Sequence, residues 1–327
     1  MHLFLQNSKI NPRTDITITG SKSESNRLLL LKALFENLEI QNVSNSDDSQ
    51  YMLKALSTES TTVDIHHAGT AMRFLTAYFA TLEGNTTLLT GSQRMQERPI
   101  KILVEALREL GADIEYANKE GYPPLKITGK QLLKDEVRMK ANVSSQYISA
   151  LLLMATKLKN GLELHLEGKI TSVPYIKMTL SLLEQIGVET SFEGQTIKVQ
   201  PYLEAAPKTL TVESDWSSAS YFYSIIALSP LGTQVSLSTY KKDSLQGDAV
   251  LKDIYRQMGV ETSFEASRII LKKTTNTLPP SIDIDLANAP DIAQTIVVSC
   301  LGLQIQCHIT GLHTLKIKET DRLEALK

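Results

Sequence analysis

Six cations stand beside glycine or serine in stretches that read as helix starts. Lys22 and Arg27 lie in "GSKSESNR", Arg73 in "HHAGTAMRF", Arg94 in "LTGSQRMQERP", and Lys318 and Arg322 in "KIKETDRL". A cation at a helix N-terminus opposes the macrodipole. The free N–H groups there bind anions, and arginine adds a forked, bidentate grip on phosphate or carboxylate. The pattern therefore predicts an anionic ligand lying between the cations and the helix ends. Each residue taken singly also reads as a solvated surface charge. Six in this context point to a ligand. At about 1.5–3 kcal/mol for each charge-assisted hydrogen bond, a handful would hold a small dianion, or two anions side by side.

Acids accompany the cations. In "KIKETDRLEALK", Lys318 and Arg322 fall one turn apart on a helix, and Glu319 lies beside their face. A carboxylate among cations is held ionised and can act as a base or, once protonated, as an acid. The plainer reading is a ladder of surface ion pairs. Asp291 follows Pro290 and reads most simply as a cap or first-turn acid. Ser21 and Glu24 have the Ser-x-x-Glu spacing of a capping box before the run "RLLLLKAL".

The elements that would position these groups form a repeat. "ILVEALRELGADIEYANKEGYPPLKITG" from Ile102, "MTLSLLEQIGVETSFEGQTIKVQP" from Met178 and "AVLKDIYRQMGVETSFEASRIILKK" from Ala249 share one pattern. Each is an amphipathic helix ending in glycine, followed by two alternating strands around a polar turn. Gly111, Gly187 and Gly259 fit the position after a helix where positive φ is required. Their spacing, 76 and 72 residues (187 − 111 and 259 − 187), is too long for a solenoid and suits a compact βαβαββ module of about 70 residues. Apolar helices are expected from Ser144, Ser217 and Pro290, buried inside, with the sheets outside. The strand "DITITG", Asp15–Gly20, has no partner nearby and is expected to pair with the C-terminal half. One domain would then use both chain ends.

The bulk numbers agree with an ordinary α/β protein. The chain has 327 residues, is 42% hydrophobic and 21% charged, and carries a formal net charge of −2. That charge disfavours nucleic acid. No stretch approaches the roughly 18 to 20 apolar residues of a membrane span. The start does not read as a signal peptide, so a cytoplasmic location is expected. Cys300 and Cys307 match no zinc spacing and read as reduced, buried thiols.

Taken in order, the motifs resemble those of the 5-enolpyruvylshikimate-3-phosphate synthase family. The resemblance runs from "GSKSESNRLLLLKAL" through "AGTAMRFLTA", "LTGSQRMQERPI", "SSQYISALLL", "SVPYIKMTL", "SDWSSASYF", "LQGDAVL" and "APDIAQTI" to "KETDRL". It implies an inside-out, two-domain α/β fold of βαβαββ modules. Residues 1–20 plus 214–327 would form a split and incomplete first domain, and residues 21–213 a second domain of three modules. The family joins phosphoenolpyruvate to shikimate 3-phosphate in a cleft and releases phosphate. By resemblance, Lys22, Ser23, Arg27, Ser144, Ser145, Gln146, Ser172, Tyr175, Asp291 and Lys318 would bind shikimate 3-phosphate. Lys22, Gly69, Arg94, Gln146 and Arg322 would hold phosphoenolpyruvate, with Arg73 behind them. Asp291 would take the proton of the attacking hydroxyl, Glu319 would protonate the methylene carbon, and Lys318 would stabilise charge. No metal or organic cofactor is implied, and a monomer is expected.

Several positions depart from the family pattern. His67 replaces an asparagine, Phe74 a proline and Thr314 an asparagine, and Glu24 adds a carboxylate to the ligand-binding turn. Family members also continue through most of another module, with further phosphoenolpyruvate ligands. A chain ending at Lys327 is expected to expose an apolar face and to turn over slowly or not at all, while a longer parent would be active. The related UDP-N-acetylglucosamine enolpyruvyl transferases need a cysteine around residues 85–100, where this chain has none. A non-catalytic anion-binding protein on the same fold remains the alternative.

Overall fold

A computed structural model describes residue 4 and residues 9–141, 144–170, 173–312, 315–316 and 320–326. The chain divides into two units. Unit 1 comprises Met1–Ile18 and Glu213–Lys327, and unit 2 comprises Thr19–Val212. Among the described residues, no helix is long and apolar enough to cross a membrane.

After β1 (Arg13–Ile16), the chain forms unit 2. Its elements are α1 (Lys22–Leu34), β2 (Leu38–Gln41), α2 (Asp47–Leu56), β3 (Thr62–Asp64), α3 (Gly69–Ala80), β4 (Thr86–Thr90) and the short α4 (Gln93–Gln96). They continue with α5 (Lys101–Glu109), β5 (Asp113–Tyr116), β6 (Leu125–Thr128), β7 (Glu136–Lys140), α6 (Ser145–Ala155), β8 (Leu162–Glu167), α7 (Val173–Gln185), β9 (Thr190–Glu193), β10 (Thr196–Val199) and β11 (Lys208–Thr211). Unit 1 then resumes with α8 (Trp216–Ala227), β12 (Gln234–Ser238), α9 (Leu251–Gln257), β13 (Val260–Glu265), β14 (Arg268–Lys273), β15 (Ser281–Asp285), α10 (Ala293–Leu303), β16 (Gln306–Thr310) and α11 (Arg322–Leu326).

Three sheets repeat one design. Their orders are β3-β4-β6-β5, β7-β8-β10-β9 and β1-β12-β14-β13. In each, the first pair is parallel and the other two pairs are antiparallel. Each is thus a βαβαββ module, and the third takes its first strand from the far end of the sequence. That strand stops at Ile16, short of the expected Gly20, because side chains take over the bonding. Ile18 N–H donates to Ser238 Oγ, and Ser214 Oγ donates to the Ile18 carbonyl. Two smaller pieces, β2 paired with β11 and β15 with β16, are both parallel. Unit 2 therefore holds two six-element modules and a shorter third, built from α1, β2, α2 and β11.

In unit 2 the first helix of each module lies inside. The described side chains of α6 are buried apart from Gln146, and those of α3 apart from Tyr78. The second helices lie outside with one apolar face: α5 buries Leu103, Val104, Ala106 and Leu107. Gly111, Gly187 and Gly259 end α5, α7 and α9 at φ of +109°, +102° and +79°. Strands alternate, as in β8, where Leu162, Leu164 and Leu166 are buried.

Candidate active site

Arg27 shows how unit 2 is organised at the end where α1, α3 and α6 begin. It is fully buried on the second turn of α1. Nε donates to Thr179 Oγ1 at 2.8 Å and Nη1 to the Ser23 carbonyl at 2.6 Å. Nη2 donates to Ser149 Oγ at 2.8 Å and, more weakly, to the Tyr175 carbonyl at 3.4 Å. Its guanidinium also lies 5.4 Å from the centre of the Phe74 ring. Ser149 and Phe74 occupy the second turns of α6 and α3, so one side chain ties together the starts of all three inner helices. Burial pushes its pKa down to about 10, so it stays charged at neutral pH. Among the described residues, four of the five guanidinium N–H groups find acceptors, which leaves one on Nη1.

Most of the other expected residues of unit 2 lie on or beside the first turns of α1, α3 and α6. Lys22 is the first residue of α1 and is exposed. Ser144 caps α6, its Oγ accepting from Gln146 N–H, and Ser145 follows it, buried. Gln146 Nε2 donates to Thr70 Oγ1 at 3.3 Å, joining the first turns of α6 and α3. The Tyr175 ring lies 5.9 Å from the Arg27 guanidinium. Arg73 is buried beneath Gly69, donating to the carbonyls of Gly69 and Pro99. Burial lowers its pKa to about 10, helped by the nearby charge of Arg98. Arg94, on α4, is exposed and ion-paired with Glu97 at 3.0 Å.

Unit 1 carries two further candidates in contact. Arg322 Nη1 donates to Asp291 Oδ1 at 3.0 Å, with both side chains largely covered. Arg322 is the first residue of α11, which Asp321 caps by accepting from the N–H groups of Leu323 and Glu324. Ser172, Lys318, Glu319 and Thr314 lie outside the described residues.

Three local expectations change. Ser21 stands at the N-cap of α1, but its side chain makes no capping bond. The Glu24 carboxylate is buried, and its charge supports Arg27 instead. Cys300 is buried, but Cys307 is exposed on β16. The helix expected from Ser217 begins at Trp216, because Asp215 caps it by accepting from Ser218 N–H. Of the family departures, Phe74 sits inside an unbroken α3 against Arg27. His67 turns outward, its Nε2 3.4 Å from Asp47 and its Nδ1 2.6 Å from that of His66. Sequence reasoning missed Arg98, the second arginine of "RMQERP", whose guanidinium lies over Gly69.

A sequence profile of EPSP synthase (3-phosphoshikimate 1-carboxyvinyltransferase) matches residues 53–327. A 3-phosphoshikimate 1-carboxyvinyltransferase of Bacteroides fragilis is 48% identical over 99% of this chain and 78% of its own length. The chain belongs to the EPSP synthase family. A Shewanella pealeana relative of the same name is 37% identical over 95% of the chain and 78% of that protein. The fold matches an EPSP synthase structure from Acinetobacter baumannii with a TM-score of 0.76 at 20% identity, covering 96% of this chain and 77% of the other. The inside-out, two-domain α/β architecture is therefore that of EPSP synthases.

Proposed function

We propose that the chain transfers the enolpyruvyl group of phosphoenolpyruvate to the 5-hydroxyl of shikimate 3-phosphate and releases phosphate. One observation carries this reading beyond family membership: Arg27 gathers the starts of three inner helices, and Lys22, Ser144, Gln146, Gly69 and Arg73 stand on or beside their first turns. Helix ends and cations together favour anions, and both substrates are anionic.

In this reading, Lys22, Ser23, Arg27, Ser144, Ser145, Gln146, Ser172 and Tyr175 hold shikimate 3-phosphate. Gly69, Arg94, Gln146 and Arg322 hold phosphoenolpyruvate. Asp291 accepts the proton of the 5-hydroxyl as its oxygen bonds to C2 of the enol ester. Glu319 gives a proton to C3, which becomes a methyl group. The resulting tetrahedral ketal loses phosphate from C2 and a proton from C3, restoring the double bond. Lys22, Lys318 and the arginines offset the charge that develops. Arg322 Nη1 lies 3.0 Å from Asp291 Oδ1, so the two groups would act on the substrate side by side. A cytoplasmic monomer working without cofactor or membrane fits the same reading.

The test is phosphate release that requires both substrates, measured beside the binding of each. Turnover that D291N lowers by 100-fold or more, with binding kept, supports the reading. Binding without turnover favours the anion-binding alternative. Failure to bind either anion overturns the reading.

A further inference from the structure

The first turn of α3 carries more positive character than the described residues balance. Ala68 occupies its N-cap and offers no side-chain acceptor. The first intrahelical bond runs from Met72 N–H to the Ala68 carbonyl, which leaves the N–H groups of Gly69, Thr70 and Ala71. These residues are buried, and among the described residues no acceptor takes those three hydrogens. Buried helix ends of this kind normally meet a partner.

What faces this turn is another donor. A Cβ at Gly69 would stand 2.5 Å from Arg98 Nη1, 3.1 Å from Cζ and 3.2 Å from Nη2. The half-buried guanidinium therefore lies in the space a side chain would fill, against the helix end. Arg73 brings a second guanidinium, fixed by the carbonyls of Gly69 and Pro99 and near enough to sense the charge of Arg98. Among the described residues, neither arginine has an ion pair. Asp48 acts on Arg73 only at a distance, and its Oδ1 accepts from Asn26 Nδ2. Arg94, four residues before Arg98, is matched by Glu97. Two arginines of one motif thus differ: the first has a counter-charge, and the second has neither acid nor acceptor among the described residues.

We propose that Arg98 is a direct ligand of the phosphoryl group of phosphoenolpyruvate, gripping it together with the first-turn N–H groups of α3. A dianion with three outer oxygens suits the arrangement. Its charge answers Arg98 and Arg73 together, and its oxygens can accept from a forked guanidinium and from several N–H groups at once. Gly69 is then required twice, to let Arg98 approach and to leave room for the ligand. This assignment rests on phosphoenolpyruvate being a substrate. It adds a residue that the family resemblance did not name.

The test uses the whole chain. Phosphoenolpyruvate, inorganic phosphate and shikimate 3-phosphate are each titrated into wild type, R98Q and R98K by calorimetry, and melting temperatures are recorded. R98Q should weaken phosphoenolpyruvate and inorganic phosphate by tenfold or more and shikimate 3-phosphate by less than twofold. R98K should fall between, since a lysine keeps the charge without the fork. R98Q should melt no lower than wild type, because it removes a guanidinium that repels Arg73. Unchanged phosphoenolpyruvate affinity in R98Q overturns the assignment. A lowered melting temperature with equal losses for all three anions also overturns it, because Arg98 would then be a structural residue. If wild type binds no phosphoenolpyruvate, the functional reading fails first and this assignment goes with it.

Discussion

Replacing Arg27 with methionine separates two opposing effects, and the structure says which wins. Burial pushes the guanidinium down to about 10, so holding it charged costs about 3 kcal/mol. Methionine removes that cost while filling much of the space. It also removes three short bonds, to Thr179 Oγ1, the Ser23 carbonyl and Ser149 Oγ. Bonds from a charged donor contribute about 1.5–3 kcal/mol each, so the loss is about 4.5–9 kcal/mol. Some of it is recovered, because Ser149 Oγ and Thr179 Oγ1 already lie 2.9 Å apart, and Thr179 Oγ1 donates to the Tyr175 carbonyl. The Ser23 carbonyl lies inside α1, where the helix itself supplies an N–H four residues on. The net is a destabilisation of about 1–6 kcal/mol, centred near 3.

For a unit of this size, about 3 kcal/mol corresponds to a fall of about 6–12 °C in melting temperature. Far-UV circular dichroism is the assay, since the single tryptophan, Trp216, is buried in unit 1 and Arg27 lies in unit 2. The same variant should lose affinity for shikimate 3-phosphate, since the remaining Nη1 hydrogen and the start of α1 go with the guanidinium. A melting temperature within about 2 °C of wild type would refute the reasoning. It would mean that the buried network is no better than an apolar filling of the same volume.

Other expectations follow from single observations. G111A should cost about 1–2 kcal/mol in urea unfolding, from positive φ alone, because a Cβ there meets nothing closer than 3.8 Å. G259A should cost more, because its Cβ would stand 2.2 Å from the Thr275 carbonyl oxygen. Ellman's reagent should titrate one thiol in the native chain, Cys307, and two in denaturant. Burial pushes Cys300 up to about 12, so the fold favours its protonated form. Stability from that group is intact below its ordinary pKa and is lost as pH climbs toward 12, and C300A should flatten the alkaline fall in melting temperature. Tyr221, Val298 and Leu301 expose one apolar face of α8 and α10, at 64%, 53% and 80%. V298K/L301E should shift the melting temperature little, because both side chains are already exposed.

How much of this was legible in the sequence depended on how local the signal was. The outer helices announced themselves, because period-3.6 patterning and a glycine requiring positive φ lie within one stretch. Three glycines at near-equal spacing then exposed the module. The first strand of the unit 1 module was legible only as a leftover, since its parallel partner lies more than 200 residues away, from Arg13 to Gln234. The starts expected at Ser144 and Ser217 were read to within a residue, while Pro290 opens a 3-10 turn and α10 begins three residues later, at Ala293. Asp215 rather than Ser217 opens α8, and Ser21 occupies a cap position without using its hydroxyl.

The site divided in the same way. Lysine and arginine beside glycine pointed to anions, because that pairing is local. Which arginines would be buried posts and which would face a ligand was not legible, because the difference lies in their partners. Arg27 and Arg98 are the same residue type in similar surroundings. One spends four donors on acceptors from α1, α6 and α7 and becomes part of the scaffold. The other lies against three N–H groups that, like its own hydrogens, find no acceptor among the described residues. A fold that brings three inner helix starts to one end of a unit concentrates positive potential there, whatever the loop residues are. It then needs a few arginines to lock the helices together and a few left unmatched. The count of cations in the sequence reflects both needs, and the hydrogen-bond partners tell them apart.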